Sequence, residues 1–237
     1  MKLHRFIGDF DLKKSTVEIF DPKLIHQMTK VLRFKKGSQL ILGDGRGGEA
    51  LGEIRKISPT SVLVSLQKKN HTKENASVSL YVALLKRENF EWVAQKATEI
   101  GVSEIIPLQT ERVVKQGLKE DRIRKIIQEA VEQSGHRTIP ELLPIMKFED
   151  ALQRSKDSSS RWFFDQLGKS FSNAKKSKKG SVSIFIGPEG GWTEKEKSMA
   201  KKSGLEIVSL ENFTLRAETA AIIGVFMASS LKYKKGK

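Results

Sequence analysis

Residues 183–196, SIFIGPEGGWTEKE, constrain the fold more than any other stretch of the chain. The near-continuous apolar run Val182–Ile186 reads as a buried strand. It passes straight into Gly187-Pro188-Glu189-Gly190-Gly191, and Thr193 and Glu196 then stand at capping-box spacing and open a helix. A buried strand, a tight turn and a capped helix together form the repeating unit of an α/β sheet. The three glycines let backbone approach a ligand closely, although a plain strand-to-helix turn would use them as well.

The same alternation runs through the chain from residue 78 onward. Val78–Leu85, Glu104–Leu108, Trp162–Phe164 and Ile207–Leu210 read as further strands. Phe90, Val93, Ala94 and Ala97 line one face of a helix that stops at Gly101, and Ile123, Ile126, Ile127, Ala130 and Val131 line another that ends near Gly135. Helices over Glu194–Ser203 and from about Ala217 to Leu231 follow, and Ser172–Gly180 reads as a solvated basic loop. The pattern predicts an α/β fold whose mostly parallel sheet carries helices on both faces.

Residues 1–70 are different in kind. His4–Ile7, Thr16–Phe20, Gln39–Leu42, Glu49–Ile57 and Ser61–Leu66 have strand character, with glycines and Ser58-Pro59 marking turns. Asp21 and Pro22 have N-cap and first-turn chemistry for one short helix that continues through Leu24, Met28 and Val31. This predicts a small barrel with one helix. The polar stretch 68–77 sets the domain boundary, which gives domains at 1–72 and 73–237.

Charge says what kind of partner to expect. The 237 residues hold 43 Lys and Arg against 28 Asp and Glu, a formal +15, and residues 1–70 alone carry 14 against 7. Such an excess suits a polyanion, and the N-terminal part is the more basic per residue. With no cysteine there is no disulfide, thiolate metal site or Cys nucleophile, and the four histidines lack metal-ligand spacing, so no metal is expected. The first residues hold no signal-peptide core, and the uncharged stretch Thr219–Leu231 is too short to span a bilayer, so a cytoplasmic location without a membrane is expected.

The glycine turn departs from the common nucleotide fingerprints. No Lys-Ser/Thr follows it, no G-x-G-x-x-G occurs, and Glu189 would repel a phosphate, so an uncharged or cationic ligand such as S-adenosylmethionine fits better. A second feature, Leu215-Arg216-Ala217-Glu218-Thr219-Ala220, opens the almost wholly apolar last helix. The helix dipole accounts for Glu218 in the first turn but not for Arg216, which either pairs with Glu218 or faces an anion or a reacting base. Both features follow strands, where open α/β sheets bind ligands. Polar groups at helix ends (Lys86, Arg87, Lys96, Glu99 and Arg137) read singly as solvated faces or as RNA contacts, and so do Arg5, Lys30 and Arg33 in the first domain.

In chain order, HxxxKVLR (His26, Lys30 to Arg33), QKATEIGV at 95–102, EAVEQSGHR at 129–137, GPEGG at 187–191 and LRAETA at 215–220 resemble the ribosomal RNA small subunit methyltransferase E family along the whole chain. The resemblance implies a PUA-like RNA-binding barrel followed by a SPOUT-type domain with a C-terminal trefoil knot. It further implies a homodimer and S-adenosylmethionine-dependent methylation of N3 of one 16S rRNA uridine. Carried over by motif, the cofactor would lie against Ile186 to Gly191, Leu210, Glu211 and Asn212, and Leu215, Arg216, Ala217 and Thr219, with Phe164 and Asp165 at a neighbouring strand end. Arg216 would stabilise charge on the uracil, Glu189 or Glu218 would take the N3 proton, and Arg5, Lys30, Arg33, Lys86, Arg87, Lys96 and Arg137 would hold RNA. A SPOUT enzyme acting on a ribose 2′-hydroxyl and a non-catalytic RNA-binding assembly factor are the rival readings. Nucleotide hydrolysis is disfavoured.

Overall fold

A computed structural model describes residues 3–72, 77–113, 117–175, 180–210 and 214–232. They fall into two compact units, residues 1–74 with 131–139, and residues 75–130 with 140–237.

The first unit is built on strands β1 (Arg5–Ile7), β2 (Thr16–Ile19), β3 (Gln39–Gly43), β4 (Gly48–Ile57) and β5 (Val62–His71) in the order β1-β3-β4-β5-β2. β1 runs parallel to β3 and the other pairs are antiparallel. Strict alternation along β4 and β5 turns Ile54, Val62 and Val64 inward onto Phe6, Leu40 and Leu42. Gly52 is needed in this layer, because a Cβ there would lie 2.5 Å from the Val64 side chain. Helix α1 (Pro22–His26) begins as its sequence predicts: Asp21 Oδ1 accepts from Lys23 N at 2.7 Å, with Pro22 in the first turn.

The helix does not simply run on to Val31. The Thr29 hydroxyl donates to the Ile25 carbonyl at 2.7 Å, and the chain widens into a π-helical turn over Gln27–Val31. Leu32 N bonds Gln27 O at 2.9 Å and Phe34 N bonds Met28 O at 2.8 Å across Arg33, which sits at φ 53°. Val31 therefore ends exposed instead of on the core face.

Residues 131–139 complete this unit. Glu132 Oε1 accepts from Ile7 N at 2.9 Å, Ile139 N bonds Gly45 O at 2.9 Å, and the Glu49 carboxylate holds Arg5 at 2.5 Å and Arg137 at 2.6 Å.

The second unit contains β6 (Val78–Ala83), α2 (Arg87–Ile100), β7 (Glu104–Gln109), α3 (Glu120–Ser134, up to Ala130, its last four residues counting with the first unit), β8 (Glu141–Leu142), β9 (Met146–Lys147), α4 (Phe148–Arg154), β10 (Ser160–Ser170), β11 (Val182–Ile186), α5 (Glu194–Lys202), β12 (Glu206–Ser209) and α6 (Ala217–Lys232). The sheet order is β12-β10-β11-β6-β7-β8, with β9 also on β7, and every pair is parallel. Alternate residues feed two cores. Leu80, Val82, Trp162, Phe164, Ile184 and Ile186 join Phe90, Val93 and Ala97 of α2 and Ala221 and Val225 of α6. Tyr81, Ile106, Phe163 and Phe185 join Phe148 and Leu152 of α4 and Ala200 of α5. Both faces of the sheet are thus covered, which is why its strands read as apolar runs.

Helix ends follow their chemistry. Gly101 at φ 96° lets Val102 N reach back to Ala97 O at 3.0 Å and close α2. Three expectations need correction. Helix α4 had no predicted counterpart, since Phe148, Ala151 and Leu152 span under two turns, too short for periodicity to register. The strand expected to stop at Phe164 resumes and runs to Ser170. The expected solvated loop begins with a 3₁₀ turn at Phe171–Asn173 and a buried Ala174, and residues 176–179 lie outside those described.

Candidate active site

Because the sheet is parallel, the C-terminal ends of β12, β10, β11, β6 and β7 lie along one edge. The loops leaving these five neighbours line a cleft of about 910 Å³. Lys86 and Asn89 come after β6, Arg112 after β7, and Asp165 to Leu167 from the excursion within β10. Gly187 to Trp192 come after β11, and Leu210 and Thr214 to Ala217 after β12. This is the ligand-binding edge of an open α/β sheet.

The glycine turn is fixed from several sides. Gly191 N bonds Pro188 O at 2.8 Å with Gly191 at φ 69°, and Arg112 Nη1 donates to Gly190 O at 2.9 Å. Trp192 lies beneath the turn, its indole N–H donating to Phe164 O at 3.0 Å. A Cβ at Gly187 would fall 2.8 Å from Trp192 Nε1, so glycine is required there by close approach. The capping box forms as the sequence predicts, and the buried Glu196 also accepts from Glu111 N at 3.0 Å, which ties the start of α5 to the loop after β7.

Three carboxylates border the cleft in different states. Glu189 is exposed and its Oε1 accepts from the Lys86 backbone N–H at 3.2 Å. Asp165 binds the Leu167 N–H at 3.0 Å and the Lys197 ammonium at 3.3 Å. Burial pulls the Lys197 pKa down, but hydrogen bonds to Glu194 and Asp165 outweigh it and leave the pKa raised, so the ammonium stays charged. Glu218, in the first turn of α6, is buried, and its Oε2 has no hydrogen-bond partner among the described residues. Its Oε1 is 4.0 Å from Arg216 Nη1, but the Arg216 side chain is 86% exposed, so the pair is loose and the guanidinium is free to turn to a ligand.

The cleft therefore brings together Phe164, Asp165, Ile186 to Gly191, Leu210, Leu215, Arg216, Ala217 and Glu218. Thr219 does not line it, and Glu211 and Asn212 lie outside the described residues. Of the residues expected to hold RNA, only Lys86 borders it. Arg87 pairs with Glu91 at 3.0 Å and Lys96 with Glu99 at 2.7 Å, while Arg5 and Arg137 share Glu49. Lys30 and Arg33 are exposed, with no ion pair among the described residues.

Sequence reading missed Arg112, Leu167, Trp192 and Lys197. Arg112 was within reach of the rule that found the others, since it follows a parallel strand. Leu167 was not, because nothing in its sequence marks a strand that leaves its ladder and returns. No group of three or more metal-ligating side chains occurs among the described residues, nor any helix long and apolar enough to cross a membrane.

Sheet, cleft and sequence together define an RNA methyltransferase: the family described as an RNA methyltransferase domain matches residues 72–229, and the one described as an RNA methyltransferase PUA domain matches 21–67. The ribosomal RNA small subunit methyltransferase E of Rickettsia conorii is 30% identical, over 95% of this chain and 94% of its own. Among solved structures, a methyltransferase from Legionella pneumophila in complex with bound S-adenosylmethionine is 26% identical, with a TM-score of 0.87 over 98% of this chain and 99% of its own. In fold, the ribosomal RNA small subunit methyltransferase E of Neisseria gonorrhoeae bound to S-adenosylmethionine matches at a TM-score of 0.89 over 98% of both chains, at 24% identity. The chain belongs to the ribosomal RNA small subunit methyltransferase E family.

Proposed function

We propose that the protein transfers a methyl group from S-adenosylmethionine to N3 of a uridine in 16S rRNA of the small ribosomal subunit. The observation that carries this reading is the cleft at the strand C-termini, assembled from the two motifs that bring the chain into its family.

The residues present fit the cofactor. The glycine turn lacks a phosphate-loop lysine and carries Glu189, while the cleft as a whole sets three carboxylates (Asp165, Glu189 and Glu218) beside four cations (Lys86, Arg112, Lys197 and Arg216), a mixture that suits a ligand carrying a sulfonium, an ammonium and a carboxylate. Glu218 Oε2, without a partner among the described residues, is a buried acceptor that a ligand donor would satisfy. Backbone of Ile186 to Gly191, Leu210, Leu215 and Ala217 would hold the cofactor, with Phe164 and Asp165 beside it and Glu211, Asn212 and Thr219 completing the set carried over by motif. When bound, it supplies an electrophilic methyl on sulfur, and that transfer needs no Lewis acid.

The chain's own residues do the rest. Uridine N3 is a poor nucleophile until its proton leaves, and as it leaves negative charge spreads to O2 and O4. Arg216, exposed at the cleft, stabilises that charge. Glu189 or Glu218, which both line the cleft, takes the proton. Holding the base in line with the methyl supplies much of the rate.

Residues 1–72, completed by the segment 131–139, act as the RNA-binding domain and the remainder of 73–237 as the methyltransferase domain, with a trefoil knot at the C-terminal end. Lys30, Arg33 and Lys86, exposed and in no ion pair among the described residues, contribute phosphate contacts that position the RNA, and Arg5, Arg87, Lys96 and Arg137 would join them only by leaving their carboxylate partners. The protein acts in the cytoplasm, and as a homodimer, a state supported by Phe226 lying 61% exposed on the largely apolar α6.

Methyl transfer from labelled S-adenosylmethionine to unmethylated small subunits, followed by nucleoside analysis, tests the reading. Label in 3-methyluridine supports it. Label in a 2′-O-methylated nucleoside, or no transfer and no cofactor binding, overturns it.

A further inference from the structure

N3 lies on the Watson–Crick edge of uracil, so the proposed reaction, on which this inference rests, requires the target base to be unpaired, and a base drawn from its stack into the cleft meets that requirement. A base that leaves a stack leaves a gap, and proteins that hold nucleic acid open fill such gaps with apolar wedges such as Leu, Ile, Met or Phe.

Leu167 borders the cleft and is 86% exposed, against 64% for Phe20, the next most exposed large apolar side chain among the described residues. Isolated exposed leucines are common. What sets this one apart is its mounting. β12 pairs with β10 up to Phe164 and again from Lys169, with Val208 opposite both residues, so Asp165–Gly168 loops out between them.

The loop is braced at its stem. Asp165 Oδ1 accepts from Leu167 N at 3.0 Å, and Asp165 Oδ2 holds Lys197 at 3.3 Å. Gly168 lies so close to the neighbouring strand that a Cβ would come within 2.5 Å of the Val208 backbone. The exposed cations Lys86 and Arg112 border the same cleft, where they can contact phosphates flanking an extruded nucleotide while Arg216 faces the base.

We propose that Leu167 is a wedge that enters the RNA stack vacated by the target uridine and holds the base out for reaction. It is a positioning residue and does not touch the reacting atoms.

The test compares wild type, Leu167→Ala and Leu167→Met. Each is assayed for methylation of unmethylated small subunits, for S-adenosylmethionine affinity by calorimetry and for oligomeric state by size exclusion. The fourth readout is 2-aminopurine fluorescence, with the probe placed 3′ to the methylated uridine in an rRNA fragment.

The expected result is a fall of ten-fold or more in kcat/KM for Leu167→Ala, with cofactor Kd within two-fold, elution unchanged and the fluorescence rise on binding lost. Leu167→Met should keep most of the activity and the fluorescence rise. Full activity in Leu167→Ala overturns the wedge. So does a loss matched by weaker cofactor binding, which would make Leu167 a cover for that ligand, or by altered elution, which would make it a subunit contact. If wild type itself puts no label in 3-methyluridine, the reaction proposed above fails and the wedge fails with it. A failure confined to the variant leaves that reaction standing.

Discussion

At Gly187 the backbone passes so close to the Trp192 indole that no side chain fits, and the indole is itself tied to Phe164 O. Gly187→Ala should therefore cost about 1–3 kcal/mol through overpacking, seen as a lower unfolding midpoint, and should weaken S-adenosylmethionine binding by shifting the turn. Arg216 makes the opposite case. It is largely solvated and only loosely paired, so Arg216→Ala should leave stability and cofactor affinity nearly unchanged while single-turnover methylation falls about 100-fold. Near-normal turnover in that variant would remove Arg216 from the chemistry. Gly187 and Arg216 were both legible in the sequence, because glycine after a buried strand and arginine at a helix start are each out of place for simple packing. Trp192 was not, since an aromatic after a turn looks like any other core residue until the turn is seen lying on it.

Among the elements, the turn after α1 departs most from a plain reading. A π-helical turn closed by an arginine at φ 53° puts a side chain where glycine would be cheaper. Arg33→Gly should raise stability by about 1 kcal/mol while weakening RNA binding, and Lys30→Glu should weaken binding and flatten its dependence on salt. Filter binding across a salt series, alongside thermal melts, reads both effects. Sequence periodicity placed the helix start and missed the widening, because Thr29's bond to a carbonyl has no signature in an apolar pattern.

Within the second unit, Arg122 of α3 and Arg87 of α2 both bind the Glu91 carboxylate and hold its pKa below the ordinary 4.5. Such a group adds stability in full above 4.5 and loses it as pH falls through its lowered value. The stability difference between wild type and Glu91→Gln should therefore be constant near neutral pH and shrink in acid. A difference that grows in acid would show that the pair does not stabilise the fold.

For the molecule as a whole, the alternation of strands and helices was readable because a parallel sheet covered on both faces needs apolar strands, and each of these ran from punctuation to punctuation. What escaped was anything set by a distant segment, such as the return of β10 beside β12 or the bonds that residues 131–139 make to β1 and β4. Sedimentation should give twice the 26.7 kDa chain mass, and Phe226→Glu should lower it to one chain if α6 forms the contact. The composition of the first unit also bears on how the chain matures. Its β1 backbone waits for Glu132 and its Glu49 for Arg137, so a nascent chain cannot finish this unit when residue 74 leaves the ribosome. Some sixty further residues must emerge first, and during that interval a basic, half-built unit stands beside the ribosome's own RNA. For the same reason a fragment cut at residue 74 omits part of the unit it was meant to isolate, and one continued to residue 139 carries with it β6, α2 and β7 of the other.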